Sequence, residues 1–282
     1  LCNEYGVDTI SCGATIAWAM ECFENGVLTL AETDGIPLNF GNAEAMIAML
    51  KKTLTREGFG DVLANGSAKA ADILWGTVQA ALSGKRVLEG SSPWSDRLGE
   101  KVTSAALTLY QDPDTGPFSC PFDDEGTPTQ KLTLIDQGVL RLFYTDRTVG
   151  KELGGGSTGN GFRPGLGSAP TPGLFNTLVA PGQLTFTELV QQLDDAIIVD
   201  QILGETAGIS GDFSINIDLG YRVRRGEIQG RVKDTMVSGN VYTALMSLQV
   251  LGQDAEWNGA CYTPSVLLTD LSVTGRQSIP TG

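Results

Sequence analysis

Histidine is absent from this chain of 282 residues. Because imidazole is the usual acid/base near neutral pH and a common zinc ligand, its absence excludes an HExxH zinc helix, a Ser-His-Asp triad and a Cys-His pair. A metal would have to be held by carboxylate and sulfur ligands alone. Ser119 and Ser210 have no histidine to activate them, so a serine nucleophile is not expected.

Paired cysteine motifs are lacking as well. The five cysteines lie at positions 2, 12, 22, 120 and 261 and form no CxxC pair. Free thiols in a reducing compartment are the simplest interpretation of this spacing. We therefore expect a cytoplasmic protein rather than a secreted, disulfide-linked one.

Basic charge and long apolar runs are also scarce. The formal net charge is −14, and the 19 Lys and Arg residues are scattered, whereas nucleic-acid binding needs a basic face. No apolar run approaches the roughly 18 residues of a transmembrane helix. The sequence therefore predicts a soluble protein with no nucleic-acid or membrane partner. It starts at Leu1 with no signal pattern, so we expect no secretory signal and a truncated start.

Residues 1–76 have the periodicity of helices. Apolar residues predict one helix that Gly13 opens and Gly26 ends. A second helix is predicted after Asn42, a good N-cap, and ends at Gly58. A weaker helical pattern covers residues 67–74. We expect a small, all-helical segment.

This segment resembles the helical middle region of the aldehyde ferredoxin oxidoreductase family. The resemblance is carried by LCNEYGVDTISCGATIAWAMECFENG and FGNAEAMIAMLKKTLTREGFGDVLANGSAKAAD. It implies a tungsten- or molybdenum-pterin protein with an iron–sulfur cluster. In that family a D-x-x-G-L-(D/C) element touches the pterin, and Asn3, Gly6 and Asp8 occupy its positions here. Because the family's cluster-binding CxxC-type motif is missing, we expect a helical fragment without tungstopterin.

Residues 77–282 have the pattern of an α+β domain with a mainly antiparallel sheet. The run KLTLIDQGVLRLFY predicts a hairpin that turns at residues 136–138. Residues 212–223 alternate apolar and polar, which indicates a half-buried strand. The apolar run 196–203 predicts a buried strand, and Asn240 is expected to cap a helix reaching residue 251. The remaining predictions are strands at 102–110, 174–179 and 266–273 and a helix at 185–193.

This second segment resembles the C-terminal domain of the TldD/PmbA family, and specifically its PmbA (TldE-like) branch. The resemblance is carried, in order, by PFDDEGTPTQ, DQGVL, STGN, the APG turn, GETAGISGDFS, the Y-x-V-x-x-GEI strand pair, SGN, and TPSVLLTDLSVTG. It implies one subunit of a cytoplasmic two-subunit peptidase that handles peptides or unfolded polypeptides. A TldD-type partner is expected to carry the HExxxH zinc helix, while the PmbA-type subunit lacks metal ligands and completes the substrate chamber.

Cys261 falls near the place where the TldD branch has a metal-ligand cysteine in a GxCGK-like context. The context here is GACYTPS, without the following Gly-Lys. We therefore expect Cys261 to be a buried or neutral thiol. The resemblance implies no metal in this chain and zinc on the partner.

Two clusters in residues 116–161 are candidate sites. Asp123, Asp124 and Glu125 have the ligand type for a hard cation such as magnesium, although adjacent residues rarely converge on one ion and a solvated turn is the preferred interpretation. The glycine run 154–159 matches GxGxxG formally, but no helix can follow it, so a dinucleotide site is excluded. Its position Asn160 stands where a P-loop needs Lys.

The glycine run leaves two interpretations open. Its exposed amides, with Ser157, Thr158 and Asn160, are candidates for binding an extended peptide, and a flexible surface loop is the alternative. The arginines at 222, 224, 225 and 231 are expected to pair with nearby acids on a solvated face.

Three hypotheses follow for the whole chain. The leading one is a non-catalytic subunit of a TldD/TldE-type zinc metallopeptidase, joined near residue 76 to an oxidoreductase-like fragment. The alternative is a fragment of a tungsten- or molybdenum-pterin aldehyde ferredoxin oxidoreductase. The third is a β-sheet module that forms a homodimer and has no catalytic role.

Overall fold

The structure, a computed structural model, describes residues 9–26, 28–55, 57–59, 63, 71–165, 167–203, 207–232 and 234–275. The chain divides into two compact units, residues 1–69 and 70–282. The candidate pterin residues Asn3, Gly6 and Asp8 lie outside the described residues. Helices α1 to α7 span Thr9–Glu24, Ala43–Thr55, Ala71–Ala81, Gly84–Leu88, Arg147–Glu152, Phe186–Gln191 and Val241–Met246.

The first unit contains α1 and α2. Asn42 accepts a hydrogen bond from the Ala45 amide (3.0 Å) and so caps α2, as predicted. Gly13 lies inside α1 and does not open it, which corrects the prediction; a glycine inside a helix costs only about 1 kcal/mol relative to alanine and does not stop it. The unit's core is formed by Ile16, Ala19, Met20, Leu38, Ala45, Met49 and Leu63.

The second unit contains the other helices and the strands. Its first helix, α3, runs across residue 76, where the sequence predicts the junction between segments; the position of that junction stays a prediction. Strands β1 to β15 span Leu109–Gln111, Leu132–Asp136, Val139–Leu140, Gly161–Phe162, Thr171–Pro172, Thr177–Val179, Asp195–Leu203, Asp212–Arg224, Glu227–Arg231, Thr235–Asn240, Val250–Leu251, Glu256–Asn258, Cys261–Thr263, Val266–Leu267 and Ser272–Gly275.

One sheet has the strand order β12-β13-β6-β1-β2-β3. Its neighbours are antiparallel except for the parallel pair β13 and β6. The predicted hairpin is confirmed: β2 and β3 are joined by Gln137 and Gly138, with φ angles of 47° and 82°. Two positive φ angles in a two-residue loop fit the twist of the flanking strands. A Cβ at Gly138 would lie 2.6 Å from the Thr103 carbonyl oxygen, so this position requires glycine.

A second sheet has the order β15-β10-β8-β7, and β9 also pairs with β8. The alternation predicted for β8 is confirmed, because Ile215, Ile217, Leu219 and Val223 are buried while Ser214, Asn216, Arg222 and Arg224 are exposed. The prediction for β7 is half right. It is a strand, but it lies at the sheet edge and residues 196–199 are only half-buried.

The main core lies where α3 and α7 meet the two sheets. Trp75 and Val78 of α3, Leu134 of the first sheet, Ile217 of the second and Leu245 of α7 belong to one buried cluster. The Trp75 indole N–H donates to the Thr263 hydroxyl at 2.8 Å, which ties α3 to β13. The fold class is therefore confirmed as α+β with mainly antiparallel sheets and few helices.

Several predicted elements are shorter in the structure. The strand expected at 102–110 is β1 alone, because residues 102–108 turn around the β2–β3 loop and bury Val102 and Leu107 without a regular ladder. Helix α7 ends at Met246, five residues before its predicted end, and Leu248 and Leu251 are buried from non-helical backbone. The apolar pattern correctly predicted that these residues are buried, but the predicted strand and helix conformations were wrong.

The predicted starts of two helices are confirmed. Thr185 and Glu188 form a capping box at the start of α6, which covers residues 186–191 of the predicted helix. Asn240 caps α7 by accepting from the amides of Tyr242 and Thr243.

Within the described residues, no helix combines the length and apolarity needed to cross a bilayer.

We predict that Thr263→Val lowers the free energy of unfolding by about 1–3 kcal/mol, because it leaves the buried Trp75 indole N–H without an acceptor. Urea denaturation followed by circular dichroism measures this. The matched control is Thr274→Val on exposed strand β15, which should change stability by no more than about 0.5 kcal/mol. Equal effects of the two substitutions would contradict a structural role for the Trp75–Thr263 bond.

Candidate functional site

The glycine-rich loop, residues 153–161, follows directly after α5. Asp146 starts this helix by accepting from the Val149 amide at 2.7 Å. Gly154, Gly156 and Gly159 have φ angles of 79°, 79° and 76°, which non-glycine residues rarely adopt. The loop then passes so close to the helix that a Cβ at Gly150 would collide with the Gly156 carbonyl. The glycines therefore allow one compact path.

Thr145, just before α5, fixes the loop to the helix start. Its hydroxyl donates to the Gly156 carbonyl at 2.8 Å, and its amide donates to the Thr158 hydroxyl oxygen at 2.8 Å. The Thr158 amide in turn donates to the Thr145 hydroxyl oxygen at 3.2 Å. These reciprocal hydrogen bonds hold the loop against the start of α5.

Asn160 joins the loop to the first sheet. Its side chain is fully buried, and its amide nitrogen donates to the Gln111 side-chain oxygen at 2.7 Å and to the Gly173 carbonyl at 2.8 Å. Its oxygen accepts from the Thr158 hydroxyl at 2.8 Å. Gln111, itself fully buried in β1, also donates to the Gln130 carbonyl at 3.3 Å. Satisfied buried amides of this kind fix backbone positions.

The acidic cluster at 123–125 holds the same loop from the other side. Buried Asp123 accepts from the amides of Glu125 (3.0 Å), Thr127 (2.8 Å) and Gly161 (2.9 Å). The other two carboxylates bind amides elsewhere, Asp124 that of Arg163 (2.7 Å) and Glu125 that of Arg147 (2.8 Å). The three carboxylates thus diverge to separate backbone partners. The expectation of a solvated turn is wrong for Asp123, which is buried because it binds three amides.

The donor set of the described part of the chain does not fit zinc. No group of three or more Cys, Asp or Glu side chains there is arranged to hold a metal ion. Cys261 is buried in β13, where its residue pairs with Thr177 of β6. The carboxylates of the acidic cluster are engaged by backbone amides. We therefore derive no chemical step through a metal on this chain.

The sequence-predicted substrate residues lie together but differ in exposure. Ser157 and Thr158 are half-buried, and Asn160 is buried. The loop that contains them is held in place by Asn160 and Asp123, and the role of these residues in substrate binding stays a prediction. The arginine cluster is solvated as expected at Arg222, which forms a two-bond ion pair with Asp195 (2.9 and 3.2 Å) and lowers the pKa of that carboxyl.

A surface that the sequence reasoning missed lies next to this loop. We call residues 116–122 the aromatic loop; in it the side chains of Phe118 and Phe122 are 54% and 56% exposed. The fully buried Asn176 clamps it, because its side chain accepts from the Phe118 amide (3.0 Å) and donates to the Phe118 carbonyl (2.7 Å). The Trp257 ring fills the space where a side chain at Gly116 would lie.

The base of the aromatic loop contains an ion pair. Lys131 Nζ lies 2.9 Å from Asp112 Oδ2 and 4.9 Å from the centre of the Tyr110 ring. The hydrogen bond from Lys131 lowers the pKa of the Asp112 carboxyl. Because this pKa is lower in the folded state, the pair stabilises the fold above the ordinary carboxyl pKa of about 4, and the contribution is lost as pH falls below it.

The sequence does contain a signal for the aromatic loop. It is GPFSCPF, which places two phenylalanines in a stretch rich in turn residues.

We predict that Asp123→Asn loosens the glycine-rich loop, because an amide group cannot accept from all three backbone N–H groups. Hydrogen exchange of residues 156–163 should speed up by about tenfold, which corresponds to a loss of roughly 1.4 kcal/mol in local stability. Asp114→Asn, at an exposed carboxylate nearby, is the matched control and should leave exchange there unchanged. An unchanged exchange rate in Asp123→Asn would contradict the role assigned to this carboxylate.

Comparisons with known proteins match both parts of the chain. Residues 61–275 match the family model described as the PmbA/TldA metallopeptidase C-terminal domain. Residues 1–89 match the model described as aldehyde ferredoxin oxidoreductase, domains 2 and 3.

Individual relatives agree with the first match. A metalloprotease of Archaeoglobus fulgidus is 33% identical over 64% of this chain and 43% of its own length. A metalloprotease of Methanothermobacter thermautotrophicus is 28% identical over 86% of this chain and 52% of its own length. The crystal structure of TldE from Thermococcus kodakarensis superposes with a TM-score of 0.65 and 26% identity, covering 71% of this chain and 48% of that protein.

The chain thus spans about half the length of the relatives it matches. The acidic and glycine-rich segments, which are among those that carry the resemblance, lie within the residues matched by the metallopeptidase model. Since that match covers most of the chain, the chain belongs to the TldD/PmbA family.

Proposed function

We propose that this chain is the non-catalytic, substrate-chamber subunit of a TldD/TldE-type zinc metallopeptidase that acts on peptides or unfolded polypeptides. The observation that carries the proposal is a chain without histidine whose larger part belongs to this metallopeptidase family. These 282 residues contain no histidine and so supply no HExxxH zinc helix. In this proposal the catalytic zinc is on a TldD-type partner, and the complex is cytoplasmic.

The aromatic loop supports the pairing with a partner subunit. Exposed phenylalanines at positions 118 and 122 offer apolar area, and the clamp by Asn176 presents them with little conformational freedom to lose on binding. Aromatic side chains held in this way are typical of the anchor residues of protein interfaces. We assign this loop to the contact with the TldD-type subunit.

The glycine-rich loop is assigned to the substrate chamber. Residues Ser157 and Thr158 are half-buried at its surface, while Asn160 and Asp123 fix its backbone from below. A rigid loop with small side chains lets an extended peptide approach the backbone closely. In this proposal the loop positions peptides, and the partner's zinc supplies the chemistry of hydrolysis.

A second candidate function rests on the N-terminal match. Because residues 1–89 match the aldehyde ferredoxin oxidoreductase model, the chain is a candidate fragment of a tungsten- or molybdenum-pterin enzyme, with Asn3, Gly6 and Asp8 as its candidate pterin-binding residues. Elemental analysis of the purified chain separates the two candidates. Stoichiometric tungsten or molybdenum together with iron would favour the oxidoreductase, and their absence the peptidase subunit.

We predict that the chain with zinc alone cleaves no peptide, and that metal-dependent cleavage of a labelled unfolded polypeptide appears when a TldD-type subunit from the same genome is added. Peptide hydrolysis with and without a chelator measures this. Metal-dependent cleavage by this chain alone, abolished by Cys261→Ser, would overturn the proposal. A stable homodimer that does not bind the TldD-type subunit would instead support the third hypothesis, a β-sheet module that forms a homodimer and has no catalytic role.

We predict that the double substitution Phe118→Ser and Phe122→Ser weakens the complex with the TldD-type subunit at least about tenfold, because two aromatic anchors lose their apolar area. Surface plasmon resonance measures the dissociation constant. Phe186→Ser is the matched control, at a side chain that is 40% exposed on α6 and away from the aromatic loop in sequence. An equal effect of the control would remove the assignment of the loop to this interface.

A further inference from the structure

Strand β7 forms an open edge of the second sheet. It pairs with β8 on one side, from Asp195 to Leu203, and no described strand pairs with its other side. Ile197 and Val199 lie opposite Arg222 and Gly220 of β8, and among the described residues no turn, loop or cap hydrogen bond engages their backbone. An edge of this kind is a template for one more strand.

The hydrogen bonds around β8 show which groups of β7 face outward. The Arg225 amide donates to the Asp194 carbonyl at 2.7 Å, so residue 194 and, by alternation, residues 196 and 198 direct their backbone groups toward β8. The Val232 amide donates to the Gly220 carbonyl at 2.9 Å on the far side of β8, which agrees with this assignment. Asp195, Ile197 and Val199 therefore direct their N–H and C=O groups to the open edge.

The side chains of this edge are apolar on both faces of the sheet. Residues 196–199, with the sequence Ala-Ile-Ile-Val, are all half-buried, and they alternate between the two faces. An added strand would contact apolar side chains above and below the sheet. The edge therefore offers backbone hydrogen bonds at three residues together with apolar area on both sides.

Asp200 ends this regular stretch. The pairing with β8 shifts register between Val199 and Gln201, so Asp200 lies in a bulge, and it is exposed. Among the described residues, its carboxylate forms no ion pair or hydrogen bond, whereas Asp195 at the other end is paired with Arg222. Asp200 is thus an uncompensated negative charge beside an apolar edge.

We infer that the open edge of β7 binds an extended polypeptide substrate, apolar at alternate positions and carrying Lys or Arg beside Asp200. The choice of a substrate peptide rests on the proposed peptide-handling function. Charge favours it over a second copy of this chain, because each copy has a net charge of −14 and two β7 edges would bring their aspartates together. Backbone pairing provides affinity with little dependence on sequence, and Asp200 adds a preference for a basic residue.

The test uses the full chain and a fluorescein-labelled octapeptide that alternates valine and threonine around one central lysine. Fluorescence polarisation gives its dissociation constant. Ile197→Pro removes an outward N–H and leaves the bonds to β8, since proline is tolerated on edge strands. Ile197→Val keeps the N–H and is the matched control. We expect Ile197→Pro to weaken binding about tenfold or more, and Ile197→Val less than about threefold.

Two further arms do not depend on a substitution in the strand. A peptide N-methylated on the face that pairs with the edge should bind at least about tenfold more weakly to the unaltered chain. A peptide with glutamate in place of the central lysine should also bind more weakly, and Asp200→Lys should reverse this preference. Asp270→Asn, at an exposed carboxylate elsewhere, should leave it unchanged.

The outcomes separate this inference from the proposed function. Peptide binding that is insensitive to Ile197→Pro and to N-methylation overturns the inference. Loss of a homodimer or of the TldD-type complex on Ile197→Pro, with peptide binding unchanged, assigns the edge to a subunit and also overturns it. Failure of the chain to bind a TldD-type subunit, with edge-dependent peptide binding intact, counts against the proposed function and leaves the inference standing.

Discussion

The hydrogen bond between the side chains of Gln111 and Asn160 connects the two regions on which the candidate site depends. Both side chains are fully buried, and the bond is 2.7 Å long. Gln111 belongs to the first sheet and Asn160 to the glycine-rich loop, so this contact ties the loop to the sheet, together with the bond from the Gly161 amide to Asp123 and those between Thr145 and the loop. A buried amide that lost its partner would carry a desolvation cost of about 1–3 kcal/mol, which makes other loop positions unfavourable.

Two other loops around the site are held in the same way. In each, a buried side chain forms the backbone hydrogen bonds that a neighbouring strand would otherwise form. Asp123 binds three backbone amides, and Asn176 binds both the N–H and the C=O of Phe118. These loops have few ladder hydrogen bonds of their own, so side-chain partners satisfy the backbone that turns away from the sheets. The site is therefore held by buried polar side chains, with Asp123, Asn160 and Asn176 in loops and Gln111 in β1, and the glycines only make the path sterically allowed.

Local signals in the sequence predicted much of the fold. The alternation in β8, the two-residue turn at Gln137 and Gly138 and the caps at Thr185 and Asn240 each depend on residues close together in the chain, and each was confirmed. The edge position of β7 could not be predicted, because a run of apolar residues reads the same in a central strand and in a half-buried edge. The aromatic loop was missed for a related reason: its exposure depends on Asn176, which is 58 residues away from Phe118. The carboxylates at 123–125 were expected to lie in a solvated turn; Asp123 is instead buried, because it accepts hydrogen bonds from backbone amides as far away as Gly161, which the local sequence could not indicate.

The bulge at Asp200 has a consequence for the behaviour of the protein at high concentration. The segment Ala-Ile-Ile-Val before it has high β-propensity and no charge, which is the composition of segments that stack into fibrils when exposed. A register shift with a carboxylate directly after this segment interrupts the flat edge, so that a second molecule cannot extend the pairing along the whole strand. The chain thus keeps a short apolar edge while a charged irregularity beside it limits aggregation.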